Sequence, residues 1–425
     1  MKKILEKIKK NQFSVGIIGL GYVGLPLLKG FASKNIKVVG LDIDKKKIEK
    51  LKKGISYIKH ININSLYRNK KILFTNNFKH ISNVDLIILC LPTPLKNKKL
   101  PDLSSIIKTL SSIRNYLKPY QTISLESTTY PGTTREIIYP ILKKKFEVGK
   151  NFYLIYSPER EDPGRKDISL QNIPKVLGGF SNNCKIIGKE FYKKFFKKII
   201  LTKNLETAEF TKIFENVFRA VNISLVNEIK YLSQKMRVNF NDVIDASSSK
   251  PFGFMPFYPG PGIGGHCIPI DPLYLSYKAK QEGIKMKLIE TSFEINYLTT
   301  KRISRIILNT IKKIKPKILI LGIAYKKNID DVRESPALKV IEDLKNKGSM
   351  VDYHDPFIKT LPKNRNFFTN MKSKNLNERM IKKYDGILIC TDHDNVNYEL
   401  IYNNAKIIFD SRNVYKKYSK KVIKV

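Results

Sequence analysis

Residues 13–35 read FSVGIIGLGYVGLPLLKGFASKN, and this stretch decides the fold class. FSVGIIGL is a short apolar run rich in β-branched residues, which predicts a buried strand. YVGLPLLKGFASKN continues with apolar residues at helical spacing. Between them lies GLGYVG, Gly19 to Gly24, which fits G-x-G-x-x-G. Glycine-rich sextets also arise by chance, so context decides. Here the sextet closes a predicted strand and opens a predicted helix. Asp42 ends the next predicted strand, KVVGLDID, 18 residues after Gly24. That arrangement is a dinucleotide fingerprint. Gly19 permits the turn, Gly21 lets backbone approach a pyrophosphate, and Gly24 lets helix and strand pack closely. Tyr22 and Val23 fill the variable positions. The helix N-terminus offers free N–H groups to phosphate. A carboxylate at Asp42 accepts from ribose hydroxyls and repels a 2′-phosphate, so NAD is expected over NADP.

Working outward, strands and helices go on alternating. KKKIEKLKKG reads as a helix, NVDLIILCLPTP as a strand, 103–117 as a helix and QTISLEST as a strand. YLIYSPER, VLGGF and KKIIL add strands up to about residue 201. From Glu206 to Met236 the chain has helical apolar spacing without Pro or Gly, which predicts one helix of about 30 residues, spanning about 45 Å. Helix also follows in NDVIDASSS and over 285–313. Strand–helix alternation then returns: KPKILILGIAY, SPALKVIEDLKNKG, SMVDYHDP, YDGILICTDH and AKIIFDSRN. The expected fold is α/β: two Rossmann-like doubly wound parallel-sheet domains joined by a central helical region. The boundaries fall at 1–204, 205–312 and 313–425.

The chain of 425 residues carries 79 Lys+Arg against 37 Asp+Glu, a net charge of +42. Such a charge suggests a nucleic acid or an anionic surface. The lysines are scattered, however, in KKKIEKLKKG, LKNKKL, ILKKKF and FYKKFFKK, as on solvated faces. A nucleic-acid binder would cluster its cations with stacking aromatics, so no nucleic-acid partner is expected. No apolar run reaches the length of a membrane span. MKKILEKIKKNQF lacks the apolar centre and cleavage site of a secretory signal and reads as a basic helical lead-in. The four cysteines, Cys90, Cys184, Cys267 and Cys390, form no CxxC pair and suggest no metal site. A reducing, cytoplasmic setting is expected, with Cys90 and Cys390 in cores.

Cys267 is different, since it lies in GPGIGGHCIPIDP, 260–272, among four glycines and three prolines. A thiol placed there reads as one to be approached. If NAD takes a hydride from an alcohol near Cys267, the thiolate can add to the resulting aldehyde. The thiohemiacetal then loses a second hydride, and water cleaves the thioester. Gly262, Gly264 and Gly265 are read as leaving space for the substrate, and Asp271 as holding a water or acting as base. Lys212 and Asn216, four apart in the long predicted helix, share a face and suit an oxyanion. Glu159, just after a strand in SPER, is placed to activate water. Thr93 in LPTP and Thr128 in EST end strands that face the ligand crevice of such sheets. A two-electron hydroxyacid dehydrogenase also joins this cofactor fold to helices, but needs neither Cys267 nor a third domain.

Taken together, GIIGLGYVGLPL, LPTPL, ESTTYPGTT, SPEREDPG, KIFENVFRAVNISLVNE, GPGIGGHCIPIDP and AYKKNIDDVRESPAL resemble, in order and spacing, the UDP-glucose/UDP-mannuronate dehydrogenase family. The detail is most similar to its UDP-N-acetylglucosamine 6-dehydrogenase branch. The resemblance implies an N-terminal NAD domain, a central dimerisation region and a C-terminal UDP-binding domain. It implies Cys267 as nucleophile, Asp271 assisting water, Lys212 and Asn216 at the oxyanion, Glu159 in thioester hydrolysis and Thr128 ordering the site. It also implies Arg160, Tyr258, Gly264, Lys326 and Arg333 as substrate contacts, with no metal. The reaction implied is a four-electron oxidation at C6 of a UDP-sugar: UDP-N-acetylglucosamine first, UDP-glucose or UDP-N-acetylmannosamine as alternatives. The product would feed polysaccharide or lipopolysaccharide assembly, and the enzyme would be a homodimer or larger. Two positions depart from the UDP-glucose pattern: Pro163 replaces an acid and Ile270 a lysine.

Overall fold

The computed structural model describes residues 1–58, 61–96, 100–161, 167–361, 371–417 and 419–425. Pro163 therefore lies outside the described residues. The chain divides into two compact units, Met1–Glu215 with Leu273–Ile284, and Asn216–Pro272 with Lys285–Val425.

The first unit is built on eight strands: β1 (Ser14–Ile18), β2 (Lys37–Leu41), β3 (Ile72–Thr75), β4 (Leu86–Leu89), β5 (Thr122–Leu125), β6 (Tyr153–Tyr156), β7 (Lys175–Gly179) and β8 (Ile199–Leu201). Their order is β8-β7-β6-β5-β4-β1-β2-β3. β1 and β4 are buried at every residue, as a parallel sheet covered on both faces requires. Its helices include α1 (Lys2–Lys9), α2 (Gly24–Ser33), α3 (Lys45–Lys52), α4 (Ser104–Ile113) and α5 (Asn182–Tyr192). α1 is the expected lead-in and buries Ile4 and Ile8. Asp44 caps α3, accepting from the N–H groups of Lys46 and Lys47.

One pairing departs from the all-parallel expectation. β7 runs antiparallel to β6, with Ile155 opposite Gly179 and Tyr156 opposite Gly178. A parallel return needs a crossover, usually a helix. The described part of the link from β6 to β7 contains only a 3₁₀ turn at Leu170–Asn172. The reversal brings Lys175, first residue of β7, to the carboxyl end of β6.

The predicted long helix is α6 (Leu205–Lys235), 31 residues. It is followed by α7 (Phe240–Ser247), α8 (Asp271–Gln281) and α9 (Lys287–Ile311). α6 and α8 each begin in one unit and end in the other. The second unit carries β9 (Lys317–Leu321), α10 (Pro336–Asn346), β10 (Met350–His354), β11 (Gly386–Ile389), β12 (Ile408–Asp410) and β13 (Val422–Lys424). Its five strands are all parallel, in the order β10-β9-β11-β12-β13. Ile318, Ile320 and Leu388 pack on one face, Leu319, Leu321 and Ile387 on the other.

Candidate active site

The glycine turn joins the carboxyl end of β1 to α2. Gly19 has φ +94°, and a Cβ there would lie 2.3 Å from the Cys90 carbonyl oxygen. A Cβ on Gly24 would lie 1.9 Å from the Gly19 carbonyl oxygen. Gly21 is the exception, since nothing comes within 4 Å of its Cβ position. Two glycines thus serve the protein's own packing, and the third leaves open space for a ligand. The Leu25 N–H donates to the Gly21 carbonyl, so the helical turn starts at Gly21. Tyr22 and Val23 are partly buried against the core. Among the described residues no side chain caps α2 and no acid stands in its first turn. Its first N–H groups are therefore available to an anion. These features fit the pyrophosphate of a dinucleotide.

Asp42, expected at the ribose, is 7% exposed and also braces the turn. Its Oδ2 accepts from the Leu20 N–H (3.0 Å) and its Oδ1 from the Asp44 N–H (3.0 Å). Lys47 Nζ stands 3.4 Å from Oδ2. At the ends of β4 and β5, the structure brings Thr93 and Thr128 together: Thr93 Oγ1 donates to the Thr128 carbonyl (2.8 Å). The Tyr274 hydroxyl donates to the Thr93 carbonyl at 2.7 Å. Downstream, Glu209 of α6 accepts from the Gly132 N–H (2.5 Å) and the Thr134 N–H (2.8 Å). Burial pushes the Glu209 carboxyl up to about 7, against those hydrogen bonds.

Glu159 follows β6 and is 7% exposed. Its Oε1 accepts from the N–H groups of Arg160 (2.7 Å) and Glu161 (3.0 Å). Its Oε2 meets Lys175 Nζ at 3.0 Å, and the same ammonium lies 2.5 Å from Glu126 Oε2. Burial pushes the Glu126 carboxyl up to about 7; Lys175 opposes the rise and the Glu159 charge adds to it. Burial works to lower the Lys175 ammonium, but the two carboxylates outweigh it and hold it above the ordinary lysine range. Arg160, expected at the substrate, is engaged within the fold. It pairs with Glu215 (2.5 Å) and donates to the Pro174 carbonyl (2.9 Å).

In the second unit, Asn216 and Asp271 meet directly. Asn216 Nδ2 donates to Asp271 Oδ2, and Arg219, one turn along α6, donates to Asn216 Oδ1. Arg219 thereby fixes which way the amide faces. Lys212, one turn before Asn216 on α6, is 7% exposed. Cys267 is partly exposed. Its carbonyl accepts from the Ile270 (3.0 Å) and Asp271 (2.8 Å) N–H groups, so it immediately precedes the first turn of α8.

The glycines around Cys267 have a different use from the one expected. A Cβ on Gly264 would meet Tyr325 Cβ at 2.7 Å and Pro336 at 2.9 Å, and one on Gly265 the Tyr325 ring at 3.0 Å. A Cβ on Gly262 would meet atoms of Asn296, Pro336 and Thr300 at 3.5 Å. At Gly264 and Gly265 the missing side chains admit neighbouring protein, whereas Gly262 meets only ordinary contacts and has φ +132°. The Gly265 N–H donates to the Arg333 carbonyl at 2.9 Å, which ties the cysteine loop to the loop carrying Lys326 and Arg333. Arg333 forms a fork with Asp331 (2.7 Å) and is 40% exposed. Lys326 is partly buried. Burial, with Arg333 adding to it, lowers His266 below the ordinary histidine range. Tyr258 is 49% exposed and donates to Asp245 Oδ1 at 2.6 Å.

Lys175, Glu126, Arg219 and Glu209 were not singled out in the sequence. Neither was Arg412, whose Nε donates to the Cys390 carbonyl (2.7 Å) and whose guanidinium occupies the Cβ direction of Gly260. The available signals were a lysine opening the apolar run KVLGG and a glutamate closing QTISLE. Among the described residues, no group of three or more His, Cys, Asp or Glu could hold a metal ion. No helix there is long and apolar enough to cross a membrane.

Comparison with known proteins covers the chain in three parts. The NAD binding domain of the UDP-glucose/GDP-mannose dehydrogenase family matches residues 13–196, its central domain 206–297 and its UDP binding domain 319–417. The chain is 32% identical to the UDP-N-acetyl-D-glucosamine 6-dehydrogenase of Salmonella typhi, over 90% of each chain. It is 33% identical to the UDP-N-acetyl-D-mannosamine dehydrogenase of Methanocaldococcus jannaschii, over 96% of this chain and 95% of that one. The structure of the UDP-D-ManNAc dehydrogenase from Pyrococcus horikoshii matches with a TM-score of 0.86 at 31% identity, covering 96% and 98% of the two chains. The relatives divide between the two N-acetylated sugars, so the glucosamine branch expected from the motifs is not singled out.

Proposed function

This chain belongs to the UDP-glucose/GDP-mannose dehydrogenase family of NAD-dependent oxidoreductases, and we propose that it oxidises C6 of UDP-N-acetyl-D-mannosamine to the carboxylate. The observation that carries the sugar assignment is the similarity, over nearly the whole of both chains, to proteins named for that substrate. The C2 epimer, UDP-N-acetylglucosamine, is the second reading, on the similarity to its own dehydrogenase.

NAD, when bound, accepts one hydride in each of two steps. The chain's own groups do the rest. The turn 19–24 and Asp42 bind and orient the cofactor, with Thr93 and Thr128 behind it. Cys267 sulfur adds to the C6 aldehyde and holds the carbon through the second oxidation. Lys212 and the Asn216 amide stabilise the oxyanion. Asp271 and Glu159 serve water and proton transfer. Tyr258, Gly264, Lys326 and Arg333 line the UDP-sugar, with Arg160 bracing the Glu159 loop. The working division remains 1–204 for NAD, 205–312 for catalysis and association, and 313–425 for UDP.

The same reading includes a homodimer. α6 carries an exposed apolar stripe at Phe210, Phe214, Phe218, Leu225, Ile229 and Leu232, each 38–62% exposed. A stripe of this length suits burial against a second copy. The free thiols at all four cysteines support a reducing, cytoplasmic setting.

The test is NAD reduction across UDP-N-acetylmannosamine, UDP-N-acetylglucosamine and UDP-glucose. Two NADH per sugar, with the highest kcat/KM on the mannosamine, is expected. A preference for either other sugar overturns the substrate assignment, and one NADH per sugar overturns the four-electron chemistry.

A further inference from the structure

Three lysines are classed as buried among the described residues, and Lys175 is the most enclosed, at 2% exposure. A lysine-rich composition puts lysines on solvated faces; it does not place one at the start of an interior strand between two buried acids. Lys175 Nζ meets Glu159 Oε2 at 3.0 Å and Glu126 Oε2 at 2.5 Å, and it also donates to the Pro158 carbonyl at 3.2 Å. The three groups come from three elements: β7, the end of β5 and the loop after β6. Behind Glu126, Tyr192 of α5 donates to Oε1 and lies 2.8 Å from the Ser124 hydroxyl. The rings of Phe196 and Tyr192 lie 5.0 and 5.5 Å from the ammonium. Among the described residues Cys90 also faces the cluster; burial, then Glu126, raises its thiol well above the ordinary range.

One ammonium between two carboxylates leaves a net charge of −1 in a buried place. Two backbone N–H groups and the Lys175 ammonium hold both Glu159 oxygens in place. The second carboxylate, Glu126, is the one pushed toward taking up a proton, by burial first and then by the like charge of Glu159. Proton uptake brings the cluster to neutrality, which burial also favours.

We propose that Lys175 and Glu126 are positioning residues for Glu159: Lys175 clamps its Oε2, and Glu126 shares the clamp so that the three groups gain and lose one proton as a unit. The inference rests on the reading that Glu159 serves thioester hydrolysis. In that step water is split. Its hydroxyl bonds to the acyl carbon, its proton goes to the Glu159 unit, and the carbon–sulfur bond breaks with its electron pair left on Cys267. The unit then gives its proton to solvent, the product acid ionises, and Cys267 is left as its thiolate.

The experiment follows NADH and the intact mass of the full chain, supplied with NAD and either UDP-N-acetylmannosamine or UDP-N-acetylglucosamine. In Lys175→Met, steady-state turnover is expected to fall about 100-fold or more, the scale of lost acid–base assistance, while an acyl adduct accumulates on Cys267. Lys175→Arg should restore part of the rate. Glu126→Gln removes the like charge, so the acid limb of the turnover profile should move to lower pH with a lower plateau. A folded Lys175→Met that turns over without an adduct overturns the clamp. An unmoved pH profile in Glu126→Gln overturns the shared proton, and that neutral isostere decides the matter if Lys175→Met does not fold. Glu159→Gln run in parallel separates the two readings. If it too builds no adduct, the hydrolytic role of Glu159 fails; if it builds one and Lys175→Met does not, only the present inference fails.

Discussion

Alanine at Gly24 and alanine at Gly21 add the same methyl group three residues apart, and the two variants should differ in apo stability while both lose cofactor binding. At Gly24 the methyl carbon would stand 1.9 Å from the Gly19 carbonyl oxygen, where real Cβ atoms stay beyond 3.0 Å. The turn and α2 must therefore part by at least 1.1 Å. The obstacle is backbone, and Ile17 at 3.2 Å closes the other side. Overpacking costs about 1–3 kcal/mol, and a rigid obstacle puts this case near about 3. For a unit of this size that is a fall in Tm of about 6–12 °C. At Gly21 nothing lies within 4 Å and φ is not positive. Alanine there stiffens the unfolded chain and should leave the apo stability unchanged or raise it by about 0.4–1 kcal/mol. The methyl would nevertheless occupy the approach path of the pyrophosphate. The assay is thermal unfolding with and without NAD. Wild type should gain about 2.7 kcal/mol at 100 times Kd, and both variants should lose most of that gain. Gly21→Ala with a wild-type NAD shift, or Gly24→Ala with a wild-type apo Tm, would refute the division of labour.

Cys267→Ser should abolish net turnover while the NAD-induced Tm shift survives; full four-electron activity would remove the covalent step. Asp355 Oδ2 accepts from the Ile323 N–H (2.8 Å), the Ala324 N–H (3.1 Å) and His393 Nε2 (3.1 Å). Burial works to raise its carboxyl, but His393 and the backbone donors outweigh it and hold it below the ordinary range. Its stabilisation is therefore complete above the unfolded carboxylate value and fades as pH falls through the lower folded one. Asp355→Asn should cost about 3 kcal/mol at neutral pH and flatten the loss of second-unit stability in acid, read by denaturant midpoints at pH 7 and pH 3. Phe214→Glu, at a site 59% exposed, should halve the mass seen by sedimentation; an unchanged mass would place association elsewhere.

What the sequence disclosed was local or periodic. The turn 19–24 combines strand, glycines, helix and acid within 30 residues, and α6 repeats its apolar pattern over eight turns. β3 and β13 escaped notice because each is only three or four residues long and adjoins lysines. The antiparallel β7 escaped because direction is set by the connection, which periodicity does not encode. The Lys175 cluster escaped because its acids lie 49 and 16 residues away, a closeness that only the sheet creates. The glycines near Cys267 were recognised as a signal, but flexibility and close packing leave the same mark in a sequence. Only the positions of Tyr325 and Pro336 separate the two.

Asp42 ties cofactor choice to folding. The oxygen that receives Lys47 also holds the amide of Leu20, so the residue that would select against a phosphorylated ribose is a strut of the very bend it guards. Replacing it with a neutral side chain to admit NADP would slacken that bend before any new contact formed. A lineage, or an engineer, seeking the other coenzyme must first rebuild support for Leu20, and a single substitution offers no gradual route.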